Sequence, residues 1–292
     1  MTAGRRDKAS RDLRPGHPEL PLGNPASIDP AAPTRWLAPD PGGLWEVADV
    51  VGVEPETVES TTLRLTLPEV PELLPGQYYL VRLATRAHAG VGAGAVQQAF
   101  SVSSSPYPPT RTVAITVREV PGGRVSPHLA HKVRVGDQLH LHGPYGFLTW
   151  TEEDGGPLVL IGAGSGVAPL MSIVRYAVAR KASVPMVLLC SSRDRSRVLF
   201  RAALEELDQR TPWLSVVHTF TRNPGDELAR YHRRVDATMI DEVIHSLALS
   251  PGDRTANVSY LVAGSAGMVG AVRTAMRTLG VADGSVASEN HA

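Results

Sequence analysis

The chain has 292 residues, enough at about 150 per domain for two domains with cores of their own, which excludes a peptide or a stapled mini-protein. Its 29 basic and 29 acidic residues cancel, so no global field draws it to nucleic acid or to an anionic bilayer. The single cysteine, Cys190, excludes an intrachain disulfide, a four-cysteine zinc site and a cysteine-ligated iron-sulfur cluster made from this chain alone.

In chain order, Met1 to Gly43 is crowded with proline, charge and small polar residues and has no periodicity, so it reads as a disordered tail. No apolar segment follows Arg5-Arg6, which removes an export signal and leaves the cytoplasm as the expected location. Six short runs rich in Val, Leu, Thr and aromatics come next: Trp45 to Val53, Thr61 to Leu67, Gln77 to Leu83, Gln98 to Ser103, Thr112 to Val120 and Gln138 to His142. Turn-formers such as Pro75-Gly76, Pro121-Gly122-Gly123 and Gly136-Asp137 separate them, which predicts a small antiparallel β-barrel or sandwich over residues 44–154. Within it the Gly/Ala-rich Ala84 to Val96 reads as a flexible hairpin connection.

After Asp154-Gly155-Gly156-Pro157 the rhythm changes, and this is the expected domain boundary. Leu158 to Ile161, Met186 to Cys190, Val216 to Phe220 and Val258 to Ala263 are continuous apolar runs, as strands buried on both faces require. Between them lie helical patterns. Pro169 at a first helical position precedes the stripe Leu170, Ile173, Val174, Ala177 and Val178, and Met268, Val272, Met276 and Leu279 form another stripe stopped by Gly280. Alternating strands and helices predict an α/β domain with a parallel sheet over residues 155–292. The longest uncharged stretch, Pro157 to Val174, is too rich in glycine and proline for a membrane span.

The strongest chemical signal joins the first of these buried strands to its helix: Gly162-Ala163-Gly164-Ser165-Gly166-Val167-Ala168-Pro169. Its glycines let backbone approach a ligand, and the free amides of a helix start favour a pyrophosphate. The usual G-x-G-x-x-G spacing is not kept, because Val167 and Pro169 occupy the two places open to a third glycine.

Taken with five other blocks in order, this loop resembles the ferredoxin-NADP reductase family. The others are Pro75-Gly76-Gln77-Tyr78, Gln98-Ala99-Phe100-Ser101-Val102, Gly122-Gly123-Arg124-Val125-Ser126, Gly143-Pro144-Tyr145-Gly146 and Ala263-Gly264-Ser265-Ala266-Gly267-Met268. The resemblance runs from Trp45 to the end. It implies an FAD-binding barrel followed by a nicotinamide-dinucleotide domain, with the two rings stacked where the domains meet. It also implies an aromatic role for Phe100 over the flavin, and a place for Ser101 near its reactive nitrogen. Gln98 stands where the family has a phosphate-binding arginine. A charge-assisted hydrogen bond contributes about 1.5 to 3 kcal/mol against about 0.5 to 1.5 for a neutral one, so the exchange weakens flavin binding by about a decade unless Arg118 or Arg124 restores the charge. Ala263 stands where the family has a cysteine near the nicotinamide. Hydride transfer rests chiefly on how the two rings are placed, so a slower rate is expected rather than none. Ser288-Glu289-Asn290-His291 resembles the family's acidic C-terminal segment, which brings Glu289 toward the nicotinamide.

Choice of dinucleotide turns on the ribose 2′-phosphate, which calls for arginine and hydroxyl donors at the ends of the second and third strands of the parallel sheet. Ser191-Ser192-Arg193 and Thr221-Arg222 supply them, with Asp194 one step on, so NADPH is expected ahead of NADH. His128, His131, His140 and His142 lack a carboxylate or cysteine at ligand spacing, and no metal is expected. The sequence therefore describes an FAD-dependent reductase that takes hydride from NAD(P)H and passes electrons to a separate carrier such as a ferredoxin, flavodoxin or haem protein. A nucleotide-binding module without turnover is the alternative, motivated by Gln98 and Ala263.

Overall fold

The computed structural model describes residues 45–83, 96–247 and 258–291. The N-terminal tail and the Gly/Ala-rich connection at 84–95 lie outside the described residues, while Val96, read from sequence as the end of that connection, starts a strand.

The first unit is built from β1 (Glu46–Thr57), β2 (Ser60–Thr66), β3 (Tyr78–Leu83), β4 (Val96–Ser101), β5 (Thr112–Arg118) and β6 (Gln138–Tyr145), with the short helix α1 (Ser126–His131) between the last two strands. The strands form one antiparallel sheet in the order β4-β3-β6-β1-β2-β5. A bridge between Val102 and Ile115 brings its two edges together, so the sheet curls into a barrel. Alternation puts Ala48, Val50, Leu63, Leu65, Val81, Ile115 and Leu141 inside, where Leu129 of α1 joins them. β5 breaks the alternation because its outward Ala114 and Thr116 are buried too. That outer face lies against the second unit.

The second unit alternates β7 (Leu158–Ala163), α2 (Val167–Arg180), β8 (Met186–Ser192), α3 (Arg201–Arg210), β9 (Leu214–Phe220), α4 (Ala237–Ser246), β10 (Ser259–Gly264), α5 (Ala266–Thr278) and β11 (Val286–Asn290). All its strands are parallel, in the order β11-β10-β7-β8-β9. α2 and α3 cover one face and α4 and α5 the other, which is why β7, β8 and β10 read as unbroken apolar runs. Leu148 and Trp150, just beyond β6, already pack into the core under α2. One sequence expectation needs correction. Pro169 is the third residue of α2 rather than the first, the chain turning into the helix directly after Gly166. The C-terminal segment is a strand, β11, held at the sheet edge by its ladder with β10 despite its polar sequence. Strand order reverses between β7 and β10, and the crevice outside the C-terminal ends of those two strands is where open α/β sheets place ligands.

Candidate functional site

The loop at the reversal is shaped by what glycine leaves out. Gly162 pairs with Ala263 across β7 and β10, and a turn over Gly164–Gly166 then enters α2. A Cβ at Gly166 would land on the carbonyl of Ala263. Gly164 has φ of 54°, and a Cβ there would sit 2.6 Å from Nη1 of Arg118. The loop is thus a bare strip of backbone wedged between β10 and the barrel, with Ser165 partly open and no side chain capping the start of α2. Uncapped first-turn amides suit an anion. Gly264 and Met268 close its far side, with the Met268 sulfur 3.2 Å from the place of a Gly264 Cβ. Ser265 caps α5 by accepting from the Met268 amide at 3.4 Å.

On the barrel side, pairing register brings Ser101, Tyr78 and Tyr145 into one row across β4, β3 and β6. The two tyrosine rings are 6.1 Å apart, and a Cβ on Gly146 would touch the Tyr78 ring. Burial raises the Tyr78 hydroxyl above its ordinary value, and the charge of Glu289 adds to that rise. Glu289, near the end of β11, is therefore within electrostatic reach of this row. Glu289 is in register with Ala263, the His291 amide donates to the Gly264 carbonyl at 2.7 Å, and the His291 ring meets the Glu289 carboxylate at 2.8 Å. Tyr78, Tyr145 and His291 carry no individual role in the sequence reading, although each stands in or beside a quoted block. Their meeting depends on register between strands far apart in the chain.

The remaining flavin-side residues are spread unevenly. Phe100 lies opposite Tyr79 and packs into the barrel core, 6% exposed, with Val102 fully buried beyond it. Gln98, opposite Val81, is half-buried. After β5 the chain turns through Gly123 and Arg124 to Val125 and Ser126, both buried, and the Ser126 hydroxyl accepts from the Val120 amide at 3.1 Å. Arg124 points outward, whereas Arg118 reaches the seam against Gly164 and keeps its Nε buried without a hydrogen-bond partner. A buried cationic donor left unpaired is costly unless something arrives to accept from it.

At the other end of the crevice β8 and β9 finish side by side. The Thr221 amide donates to the Ser192 carbonyl at 3.0 Å and the Arg222 amide to the Arg193 carbonyl at 2.9 Å, so Arg193, Thr221 and Arg222 form one exposed group. The neighbouring carboxylates are already engaged. Asp194 accepts from the Ser196 amide and hydroxyl at 2.9 and 2.5 Å, and Asp226 takes a two-point grip from Arg195 that lowers its pKa. Elsewhere, His142 lies between Trp45 and Tyr145, and His131 meets Glu119 at 2.8 Å. Cys190 is buried in β8, and its thiol is pushed up to about 12.

Comparison with known proteins agrees with this geometry. Residues 49–150 match the model of the oxidoreductase FAD-binding domain and residues 160–274 that of the oxidoreductase NAD-binding domain. The chain is 29% identical over 232 residues to the naphthalene 1,2-dioxygenase system ferredoxin-NAD(P)(+) reductase component of Pseudomonas putida, covering 80% of this chain and 64% of that one. It therefore spans less than two thirds of that relative. The solved structure of the Amycolatopsis cytochrome P450 reductase GcoB superposes with a TM-score of 0.71 at 24% identity, over 84% of this chain and 69% of that one. A Neisseria gonorrhoeae ferredoxin NADP+ reductase with bound FAD and NADP gives 0.70 at 21% identity, over 85% and 98%. With an FAD-binding barrel and an NAD-binding sheet in this order, the chain belongs to the ferredoxin-NADP reductase family.

Proposed function

We propose that this chain is an NAD(P)H-dependent flavoprotein reductase of the cytoplasm, favouring NADPH and delivering electrons to a separate carrier such as a ferredoxin, a flavodoxin or a haem protein. The observation that carries the reading is the convergence of the Ser101–Tyr78–Tyr145 row, the Ala263–Gly264 strand end and Glu289 at one seam. FAD bound there supplies what amino acids lack, uptake of an electron pair from the nicotinamide and its release one electron at a time. The residues present fit the two dinucleotides: the glycine strip at Gly162–Gly166 leads into α2 with no side chain capping its first amides, and Arg118 holds an unpartnered buried donor beside it.

The side chains then divide the work. Arg118, with the Gly123–Ser126 turn five residues further on, would hold the flavin phosphates in place of the arginine missing at position 98. Phe100 lines the barrel wall beneath, and Ser101 presents its hydroxyl from the same strand end. Tyr78 and Tyr145 would flank the flavin ring, while Glu289 and His291 close over it from β11 and keep bulk water out. Arg193, Thr221 and Arg222 would take the 2′-phosphate. Asp226 is gripped by Arg195 through both oxygens and Asp194 is engaged through Oδ1 by the Ser196 turn, which supports NADPH.

With one cysteine the chain ligates no cysteine-bound cluster within itself, so the one-electron acceptor lies outside these 292 residues. Among the described residues no helix is long and apolar enough to cross a membrane. The P. putida relative is by name a ferredoxin reductase component of an oxygenase system, which supports a ferredoxin-type acceptor here. Purified protein supplied with FAD should turn yellow and bleach when NADPH is added without oxygen. Yellow protein that never bleaches would instead support the binding-module reading raised by Gln98 and Ala263, and failure to retain FAD would remove both.

A further inference from the structure

The two domains are joined behind the site by a closed ring of polar contacts. From α2, Arg175 donates through Nη1 to the Ser103 carbonyl at 2.7 Å, and Ser172 donates to the Ser104 carbonyl at 2.7 Å. From Ser103 buried hydroxyls run along the outer face of β5 and β2. Thr62 donates to Glu56 Oε1 at 2.7 Å, and the Thr116 hydroxyl lies 2.9 Å from those of both Thr62 and Ser103. The other oxygen of Glu56 accepts from the Phe200 amide at 3.1 Å, back in the second domain at the head of α3. The Phe200 ring receives the Arg175 guanidinium at 5.1 Å, which closes the ring. Phe200 itself has φ of 55°, a left-handed conformation that a bulky aromatic keeps only when its surroundings fix it.

The place of this ring in the chain gives it consequence. Ser103 and Ser104 follow Ser101 by two and three residues, so clamping their carbonyls fixes the strand end that faces the flavin. Ser172 and Arg175 lie within the first turns of α2, about 9 and 13 Å along the helix from Gly166 at 1.5 Å per residue. One short rigid path therefore joins the flavin strand to the nucleotide loop. The ring also walls a cleft of about 750 Å³, lined by Glu54, Glu56, Arg175, Phe200 and Arg201, that separates the domains on this side.

We propose that Arg175 and Glu56 are positioning residues that form an interdomain latch and set the spacing between the Ser101 strand end and the Gly162–Gly166 loop, and hence between the two rings. The proposal rests on the reductase reading but is tested apart from it. Loss of about 1 Å of register between reacting groups costs on the order of 100-fold in rate. In FAD-loaded protein, Arg175→Met should slow NADPH bleaching by about 30- to 100-fold while the dissociation constants for FAD and NADPH change less than about threefold. Arg175→Lys, which keeps a charged donor for the Ser103 carbonyl, should recover most of the rate, and Glu56→Gln should fall between. In the protein without FAD, hydrogen exchange in residues 98–104 should quicken in Arg175→Met and Glu56→Gln. Wild-type bleaching with an equal rate in Arg175→Met would overturn the latch, as would unchanged exchange in both variants. A wild type that binds FAD but never bleaches would instead sink the reductase reading, leaving the exchange arm to decide the latch.

Discussion

The nucleotide loop and the flavin strand stand on opposite sides of one seam and are made in opposite ways. The loop is backbone: its glycines lie within five residues of sequence, and they let Gly166 approach the Ala263 carbonyl and Gly164 approach Arg118. The flavin side is assembled from side chains of β3, β4, β5, β6 and β11, joined by register alone. A site made of local backbone tolerates no substitution at its glycines. One assembled from many strands can lose a member and replace it from elsewhere, as we propose for Gln98 and Arg118.

The sharpest way to break this contrast is Gly166→Ala. The added carbon collides with backbone that cannot yield, so NADPH binding should fall by more than about 100-fold and the thermal midpoint should drop, consistent with overpacking costs of about 1 to 3 kcal/mol. Gly162→Ala meets the side chains of Leu170 and Val167 at 3.0 Å and should cost less. Equal effects would mean that the loop is not set by the Ala263 carbonyl.

Next comes the charge exchange on the flavin side. Arg118→Ala should weaken FAD binding by about 10- to 100-fold, the range for a charge-assisted bond of about 1.5 to 3 kcal/mol. Adding Gln98→Arg to that variant should recover about tenfold, read by flavin fluorescence on titration. An unchanged FAD affinity in Arg118→Ala would remove it from the site.

Smaller still is the dinucleotide preference. Arg222→Ala should raise KM for NADPH by about tenfold and leave that for NADH within about twofold, since the lost bond serves the 2′-phosphate alone. A parallel rise in both would deny the phosphate role.

The least effect concerns the seam itself. Arg197 bonds Glu59 across the domains and, with Arg118 and Arg193 nearby, holds its carboxyl below the ordinary 4.5. A carboxylate lowered on folding stabilises the protein above its unfolded pKa and loses that contribution as pH falls through the folded value. The thermal midpoints of wild type and Arg197→Gln should differ at pH 7 and converge as the pH falls below 4.5 and through the lowered folded value. A constant gap would place the effect of Arg197 in packing rather than charge.

The same contrast explains what the sequence disclosed. β7, β8 and β10 are covered on both faces, so their apolar runs stand out, and the glycine strip follows β7 directly. β11 escaped because Val286–Asn290 is a short polar edge strand whose ladder with β10 overrides its weak strand propensity. Pro169 suggested a helix start because proline suits one, yet two apolar residues precede it within α2. Glu56 and Phe200 are separated by 144 positions, and no local pattern announces their bond. The surroundings of Tyr78 and His291 were hidden for the same reason, since Tyr145 beside Tyr78 and Gly264 beside His291 come from strands distant in sequence.

The seam is tested most directly by anaerobic titration of FAD-loaded protein with NADPH, followed by visible absorption. Facing rings held by the two cradles require near-complete loss of the flavin band at about one equivalent of NADPH. FAD that stays bound and oxidised in excess NADPH would contradict the account.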